Sequence, residues 1–494
     1  MNTVRAGAAL PAAEDNNNGD NIGGNTAPRP VDGLSQPERG WAMLVIILGL
    51  IVAVLDGTIV NLALPGIARE LNASPSQSIW VVNAYQIATL VMLLPLASLG
   101  DLVGYRRVYL VGMAVFTLSS LAATFANSLG TLIAARAFQG LGAAGIMSVN
   151  AALVRLTYPS SQLGKGMAIN SLVVATSSVA GPSVAAAILS VASWPWLFAI
   201  NVPLGIVTFA LGMKALPFNR VAPAAGLRFS PVDVALNVLM FSLVFLGADR
   251  LGVREGAVQG AGGSQASAWA ILLAGVAVGF VYLRRQRKLA VPLFPIDLLR
   301  IPVFALSMGT SVAAFCAQML AYIALPFLLL DVYGRSHIEA GLLITAWPLA
   351  IVVMAPIAGK LIGRYPDGLL GGIGLGLLAT GLALLAALPA HPGNADIAWR
   401  MALCGLGFGL FQSPNNHTIV TSPPAHRSGA ASGMLGTARL TGQTLGAVVL
   451  AGVFSVWSPH GGHGPVVALV LAASFAAVAA VFSTLRLRTT SHGG

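Results

Sequence analysis

Apolar runs long enough to cross a bilayer recur along the whole chain, broken by short polar segments. Fourteen are read, at about 42–64, 79–99, 108–126, 131–153, 168–190, 196–216, 232–248, 266–283, 303–330, 338–362, 369–390, 397–420, 431–456 and 465–485. A helix needs roughly 20 apolar residues to span a hydrocarbon core of about 30 Å. Backbone in lipid must satisfy its own hydrogen bonds, so each run predicts a helix. The breaks are mostly short, which makes consecutive helices antiparallel.

Composition supports an all-α polytopic membrane protein. The 494 residues are 56% hydrophobic and 9% charged, with a mean hydropathy of +0.81. Soluble domains average about 25% charged residues, so a soluble enzyme, a nucleic-acid binder and a disordered chain are all poor fits. The net charge of +11 suggests nucleic acid at first sight, but the basic residues lie between apolar runs and form no patch. Cys316 and Cys404 both fall inside apolar runs and read as small buried hydrophobes, with no disulfide framework or metal site. No apolar core precedes Trp41, so no cleaved signal peptide is expected. Residues 1–40, rich in Asn, Gly, Pro and Ala, are expected to form a disordered cytosolic tail.

Basic residues in the loops set the orientation. Arg69, Arg250, Arg254, Arg335 and Arg400 fall on one side, Arg136 and Arg439 fall within runs, and the other twenty Lys and Arg fall on the side of the termini. This predicts both termini in the cytoplasm of an inner or plasma membrane, and requires an even number of helices. A Pro- and Ala-rich joint at 217–230 and a basic, Pro-containing joint at 284–302 flank runs 7 and 8. The expected layout is a six-helix bundle at 41–217, an inserted pair at 231–284, a second six-helix bundle at 302–485 and a cytosolic tail at 486–494. Two such bundles suggest a transporter with a central site between halves. The inserted pair is expected to lie outside the central cavity.

Charge inside a span is costly and marks function. Asp56 lies about 15 residues into run 1, roughly 22 Å from the inner face, and Arg136 about 5 residues into run 4, roughly 8 Å below the outer face. The two depths coincide, so the residues are expected to pair or to share a proton-linked network. Gln139 and Gly140 share the Arg136 face, and Asn150 returns to it, making a polar stripe expected to face the central cavity. Gly181-Pro182 kinks run 5. Gly372/Gly376 and Gly405/Gly409 match close helix packing. Trp80 and Tyr85, Gln318 and Tyr322, and Asn415 and Asn416 are cavity candidates. The turn Gly100–Arg107 carries Asp101 and Arg106 across Gly104 and is expected to latch the inner gate against the inner end of run 13.

These segments together resemble the major facilitator superfamily in its fourteen-helix drug:proton antiporter branch, over nearly all of residues 41–485. Leu55–Pro65, which contains Asp56 and Asn61, looks like the helix 1 signature. Ala97–Arg107 looks like the loop 2–3 motif, Leu132–Ala144 like the helix 4 motif, and Gly181-Pro182 like the core of the helix 5 antiporter motif. Trp194–Pro203 and Arg439-Leu440-Thr441-Gly442 support the resemblance. Departures are Ala97, Ser177, Ala185 and Ala186 where glycines are usual, Leu102 and Tyr105 where basic residues are common, and Pro195 where an Arg is usual.

The resemblance implies alternating access driven by the proton gradient, with Asp56 and Arg136 coupling protons. Asp101, Gly104, Arg106, Gly181, Pro182 and Arg439 would gate. Asp56, Asn61, Trp80, Tyr85, Gln139, Gln318, Tyr322, Asn415 and Asn416 would contact substrate. A carboxylate in a partly dry cavity can exchange a proton with either side, and aromatic faces beside an acid suit lipophilic cations. Asp56→Asn is expected to fold, because it removes a buried charge and keeps the shape, although leaving Arg136 unpaired costs a few kcal/mol. No phosphate-binding loop of the Walker type appears, so no cofactor is expected. The favoured reading is a monomeric exporter exchanging lipophilic cations for protons across the bilayer. The alternatives are an exporter of neutral or anionic metabolites or antibiotics, an importer, and a transport-dead sensor or scaffold. An enzyme is not expected: the paired His417 and His426 lack acidic or thiol partners at ligand spacing.

Overall fold

The computed structural model describes residues 33–159, 162–218, 230–252, 265–287, 289, 294–423, 428–458 and 462–490. Most of the predicted tail (1–32) and of the 217–230 joint, part of the 284–302 joint, the His426 position and the last four residues lie outside the described residues.

Fourteen long helices carry the fold. Six come first: α1 (Glu38–Ile59), α2 (Trp80–Val103), α3 (Tyr105–Thr124), α4 (Leu129–Thr157), α5 (Leu163–Val191) and α6 (Asn201–Ala215). A pair follows, α7 (Pro231–Gly252) and α8 (Gln265–Gln286). Six more complete the chain: α9 (Pro302–Phe327), α10 (His337–Leu361), α11 (Asp367–Ala386), α12 (Asn394–Thr421), α13 (Ser428–Val456) and α14 (His463–Thr490). Among the described residues, twelve helices are long and apolar enough to cross a membrane. The remaining two, α5 and α12, have 29 and 28 residues. Asp396, Arg400, Asn415, Asn416 and His417 dilute the apolarity of α12.

Local chemistry explains the helix ends. Pro65 has no N–H to offer the Asn61 carbonyl, so α1 tightens into a 3₁₀ turn over Val60–Ala63 before continuing as Leu64–Glu70. Capping boxes Ser74–Gln77, Ser128–Thr131 and Ser336–Glu339 satisfy the first N–H groups ahead of α2, α4 and α10. All three sit on one face of the molecule, called distal below. The ends of α1 and α9 meet there through Arg69 and Asp331, 3.2 Å apart. The starts of α1 and α9 therefore share the opposite face, and α14, five passes after α9, ends on it too. This opposite face is called terminal.

The packing repeats between halves. α4 is sandwiched by α2 and α3, and α12 by α10 and α11. The halves meet along two seams, α2 against α13 and α5 against α10. The inserted α7 fills the lipid side of the first seam. Its Asn237 Nδ2 donates to the Val91 carbonyl at 2.6 Å, and Phe245 clusters with Leu90, Leu93, Leu440 and Val448. α8 packs on α7, and Arg285 and Gln286 close over Asp233 at 2.7 and 3.1 Å.

Lipid offers no hydrophobic drive between helices, so backbone proximity holds the bundles. At the α4–α2 crossing, a Cβ on Gly140 would lie 2.4 Å from the Tyr85 carbonyl oxygen. At the equivalent α12–α10 crossing, one on Gly405 would lie 2.1 Å from the Trp347 carbonyl oxygen. Gly372 and Gly409 also pack on neighbours, whereas Gly376 meets nothing within 4 Å. Gly405→Ala is expected to lower the melting temperature in detergent, at a cost of about 1–3 kcal/mol, while Gly376→Ala leaves it unchanged. Equal melting of the two variants would show that the crossing is loose.

Two sequence readings change. α1 starts at Glu38, inside the span assigned to the tail, and Leu34 is already tied to Thr157 by a backbone bond of 3.0 Å. α14 runs to Thr490, so Arg486 belongs to the bundle and not to a tail. Its guanidinium is 2% exposed and donates to Ser307, Asn415 and Ser483 at 3.0, 2.9 and 2.5 Å.

Candidate substrate and proton pathway

Asp56 is fully buried on α1, and two other helices, α4 and α6, supply its donors. Arg136 Nη1 of α4 donates to its Oδ2 at 2.5 Å. Gln139 Nε2 and Asn201 Nδ2 donate to Oδ1 at 2.9 and 2.8 Å. Arg136 also donates to Gln139 Oε1 at 2.6 Å and to the Val81 carbonyl at 3.0 Å, and lies 4.2 Å over the Tyr85 ring. Gln139 reaches Ser120 of α3 at 2.8 Å, and Tyr85 OH donates to the Ala53 carbonyl at 3.0 Å. Every polar atom of the Asp56 carboxylate has a donor, as a buried charge requires.

The predicted meeting of Asp56 and Arg136 is present, but the stripe on α4 faces inward. Arg136 and Gln139 point into the first bundle toward α1, α3 and α6, not toward the space between halves. The reason is Gly140: its close contact with α2 fixes the rotation of α4. Gly142 and Gly145 fix it again against Phe116 and Gly112 of α3. Tyr85 and Gln139 therefore belong to the Asp56 network and not to a cavity wall. Asn150 is buried farther along α4, and its Nδ2 has no hydrogen-bond partner. Asn201 and Ser120 were missed as site residues. An amide inside Trp194–Pro203 was the available signal for Asn201; nothing in the sequence singles out Ser120.

The space between halves is lined at its distal end by Thr58, Asn61, Leu62, Pro182, Tyr322, Pro326 and Ile344. These come from α1, α5, α9 and α10, and none from α7 or α8. Tyr322 stands edge-on to Trp347 with ring centroids 5.1 Å apart, and Gln318 is buried one turn away. Beside this cavity, and one turn distal to it, α5 and α10 touch. Ser183 Oγ and Thr345 Oγ1 are 2.8 Å apart, and a Cβ on Gly341 would lie 2.3 Å from Ala186 Cβ. Gly181 lies under Thr58, and the Pro182 carbonyl lies against Gly341. Ser183–Thr345 and Arg69–Asp331 link the two six-helix bundles on the distal side.

Other candidates fall elsewhere. Trp80 lines a groove open to lipid between α2, α4 and α7, because Gly140 and Ala88 turn that face of α2 outward. Asn415 is fully buried in the Arg486 network of the second bundle, where its Nδ2 donates to Ser311 Oγ at 2.7 Å. Asn416, its neighbour, is half-buried. On the terminal face Asp101 accepts from Tyr105 OH at 2.6 Å, and Arg106 donates to the Met213 carbonyl and covers the Phe218 ring at 4.0 Å. Gly104 takes φ +103°, which explains a glycine at this turn. No ion pair from Asp101 or Arg106 to α13 is present among the described residues. His417 does have an acidic partner, supplied by another helix: its Nδ1 is 2.8 Å from Asp367 Oδ2. Among the described residues no cluster of three metal-ligating side chains forms.

Two six-helix bundles meeting around a polar cleft, with a paired charge buried in one of them, define a membrane carrier. The chain belongs to the Major Facilitator Superfamily, whose sequence pattern matches residues 46–447. It is a transporter, not an enzyme. It is 53% identical to an uncharacterized transporter, YebQ of Escherichia coli (strain K12), over 92% of this chain and 97% of that one. It is 30% identical to the riboflavin transporter RibZ of Clostridioides difficile (strain 630), over 85% and 89%. It is also 30% identical to the multidrug efflux pump LfrA of Mycolicibacterium smegmatis, over 85% and 82%. A solved D-xylose–proton symporter shares the fold, with a TM-score of 0.64 at 14% identity over 90% and 97% of the two chains.

Proposed function

We propose that the protein is a proton-coupled exporter of small amphiphilic organic compounds, working by alternating access with fourteen membrane-spanning helices. The carrying observation is the cleft between halves, shut on the distal side by Ser183–Thr345 and Arg69–Asp331 and lined by Thr58, Asn61 and Tyr322 among apolar side chains. The bias of basic residues makes the terminal face cytoplasmic, in an inner or plasma membrane. The closed face is then the outer one. A monomer suffices, since each chain holds both halves.

Asp56 is the candidate coupling acid. A proton on it would cancel its charge and release Arg136 from its ionic partner, leaving that guanidinium to Gln139 and the Val81 carbonyl. Thr58, two residues on, presses on Gly181, and the next residue, Pro182, touches Gly341 across the seam. Rearrangement around Asp56 thus has a short packed route to the outer gate. Energy comes from the proton gradient and no cofactor is involved.

The lipophilic-cation reading draws support from the printed function of LfrA, a multidrug efflux pump. The geometry supports it less, because Arg136, Gln139 and Asn201 already occupy the Asp56 carboxylate. Neutral or anionic amphiphiles fit the cleft better. The test is transport in proteoliposomes under an imposed pH gradient, with a panel of neutral, anionic and cationic dyes. Substrate should accumulate against its gradient and a protonophore should abolish this. Downhill movement insensitive to the protonophore would remove proton coupling from the reading.

A further inference from the structure

Resting on the exporter reading, we infer that Arg439 is the substrate-recognition group of the cleft, and that the substrates are flat amphiphiles bearing an ionised acid such as a carboxylate or phenolate.

Arg439 is on α13, the helix that faces α2 across the first seam. At 100° per residue its position is bracketed by residues with known neighbours. Gly442 and Gly446 lie against the Val312 and Cys316 carbonyls of α9. Gly436 lies against Leu93 of α2, and Leu440 clusters with Leu90 and Leu93. Arg439 and Gln443, one turn apart, occupy the arc between these contacts. That arc looks into the space between the halves and away from lipid.

Arg439 has no carboxylate partner among the described residues, and its Nε is buried without a hydrogen bond. Arg136 and Arg486, the other buried arginines of the bundles, each have several acceptors within 3.3 Å. A guanidinium always carries its charge and presents a planar fork of donors. Left unpaired in a low-dielectric cleft it is costly, so it serves as the attachment point for an anion.

A second observation points the same way. Asn61, which lines this space, has a buried Oδ1 without a partner, and the side-chain polar atoms of Asn83, Gln86 Oε1 and Trp347 Nε1, on the neighbouring helices α2 and α10, are also buried without partners. Asn61, Asn83 and Gln86 are 5%, 0% and 4% exposed. Gln86 lies one helical turn from Leu90 and two from Leu93, on the face of α2 that meets α13. Buried polar groups are normally satisfied, and here a ligand between the halves would satisfy them. The acids of the region are unavailable to a cation. Asp56 is enclosed by three donors and Asp331 is paired with Arg69. The acidic group of a ligand would sit on Arg439. Its ring body would point past Gln318 toward Tyr322, which lies about thirteen residues farther along α9 than the level of Arg439, or roughly 20 Å.

The test uses two planar xanthene dyes of opposite charge, fluorescein and rhodamine 123, on the purified full-length protein at pH 8. Binding is read by fluorescence anisotropy. The unmodified protein should bind fluorescein the more tightly. Arg439→Gln should weaken fluorescein at least ~10-fold, Arg439→Lys should stay within ~3-fold, and rhodamine 123 should not weaken in either. Equal fluorescein binding by the parent and Arg439→Gln overturns the inference, and so does parallel loss of both dyes. If Arg439→Gln does not fold, the parent's preference decides: tighter rhodamine 123 binding overturns the assignment. Arg439-dependent binding without gradient-driven transport would uphold the site and reject the exporter reading. Gradient-driven export of rhodamine 123 alone would do the reverse.

Discussion

Asp56→Asn and Arg136→Gln, made singly, should each destabilise the protein in detergent and abolish gradient-driven transport, while the double substitution should recover most of the lost stability and none of the transport. Each single change strands a buried partner. In Asp56→Asn the new amide must meet three donors, from Arg136, Gln139 and Asn201, which all point at the former carboxylate. The sequence already assigns this variant a cost of a few kcal/mol for leaving Arg136 unpaired, and the structure adds the Gln139 and Asn201 donors to it. Breaking one side of a buried ion pair costs about 3–5 kcal/mol, enough to unfold a marginal bundle. In the double variant the two amides can bond to each other, and the stranded charge is gone. Loss of transport with recovered folding separates a coupling role from a purely structural one. A stable double variant that still pumps protons against substrate would move the coupling site away from Asp56.

The second large effect concerns the outer gate. Ser183→Cys combined with Thr345→Cys should form a disulfide spontaneously and stop transport, with full recovery on reduction. The two hydroxyl oxygens are 2.8 Å apart, and the helices behind them approach closely enough that Gly341 has no room for a Cβ. A disulfide joins side chains whose Cβ atoms are roughly 3.5–4.5 Å apart, and these two side chains already meet at their oxygens. The native thiols do not interfere, since Cys316 and Cys404 are fully buried. Alternating access requires the α5–α10 seam to part at this face, and a covalent link forbids it. Each single-cysteine variant should transport normally. Transport by the oxidised double variant at the parental rate would mean that the gate does not open there.

The helices themselves were legible from the residues because lipid leaves the backbone one solution. Their starts also have local causes, in Ser74, Ser128 and Ser336 with their capping partners and in Pro65. Asp56 and Arg136 were legible as a pair because helical rise converts sequence position into depth. Depth, however, carries no azimuth. The glycine contacts of Gly140, Gly142 and Gly145 turned the α4 stripe into the first bundle and put Trp80 against lipid. Only the assembled fold could show Asn201 closing on Asp56 from α6, or Asp367 reaching His417 from another helix. Sequence alone determined the helical membrane class, the approximate spans and the level of the buried charges, since these follow from local apolarity and rise per residue. Tertiary structure decided which charges are satisfied. Arg136 found Asp56, Arg486 found Ser307 and Asn415, and Arg439 was left facing the cleft, because partnership depends on how neighbouring helices are rotated against each other.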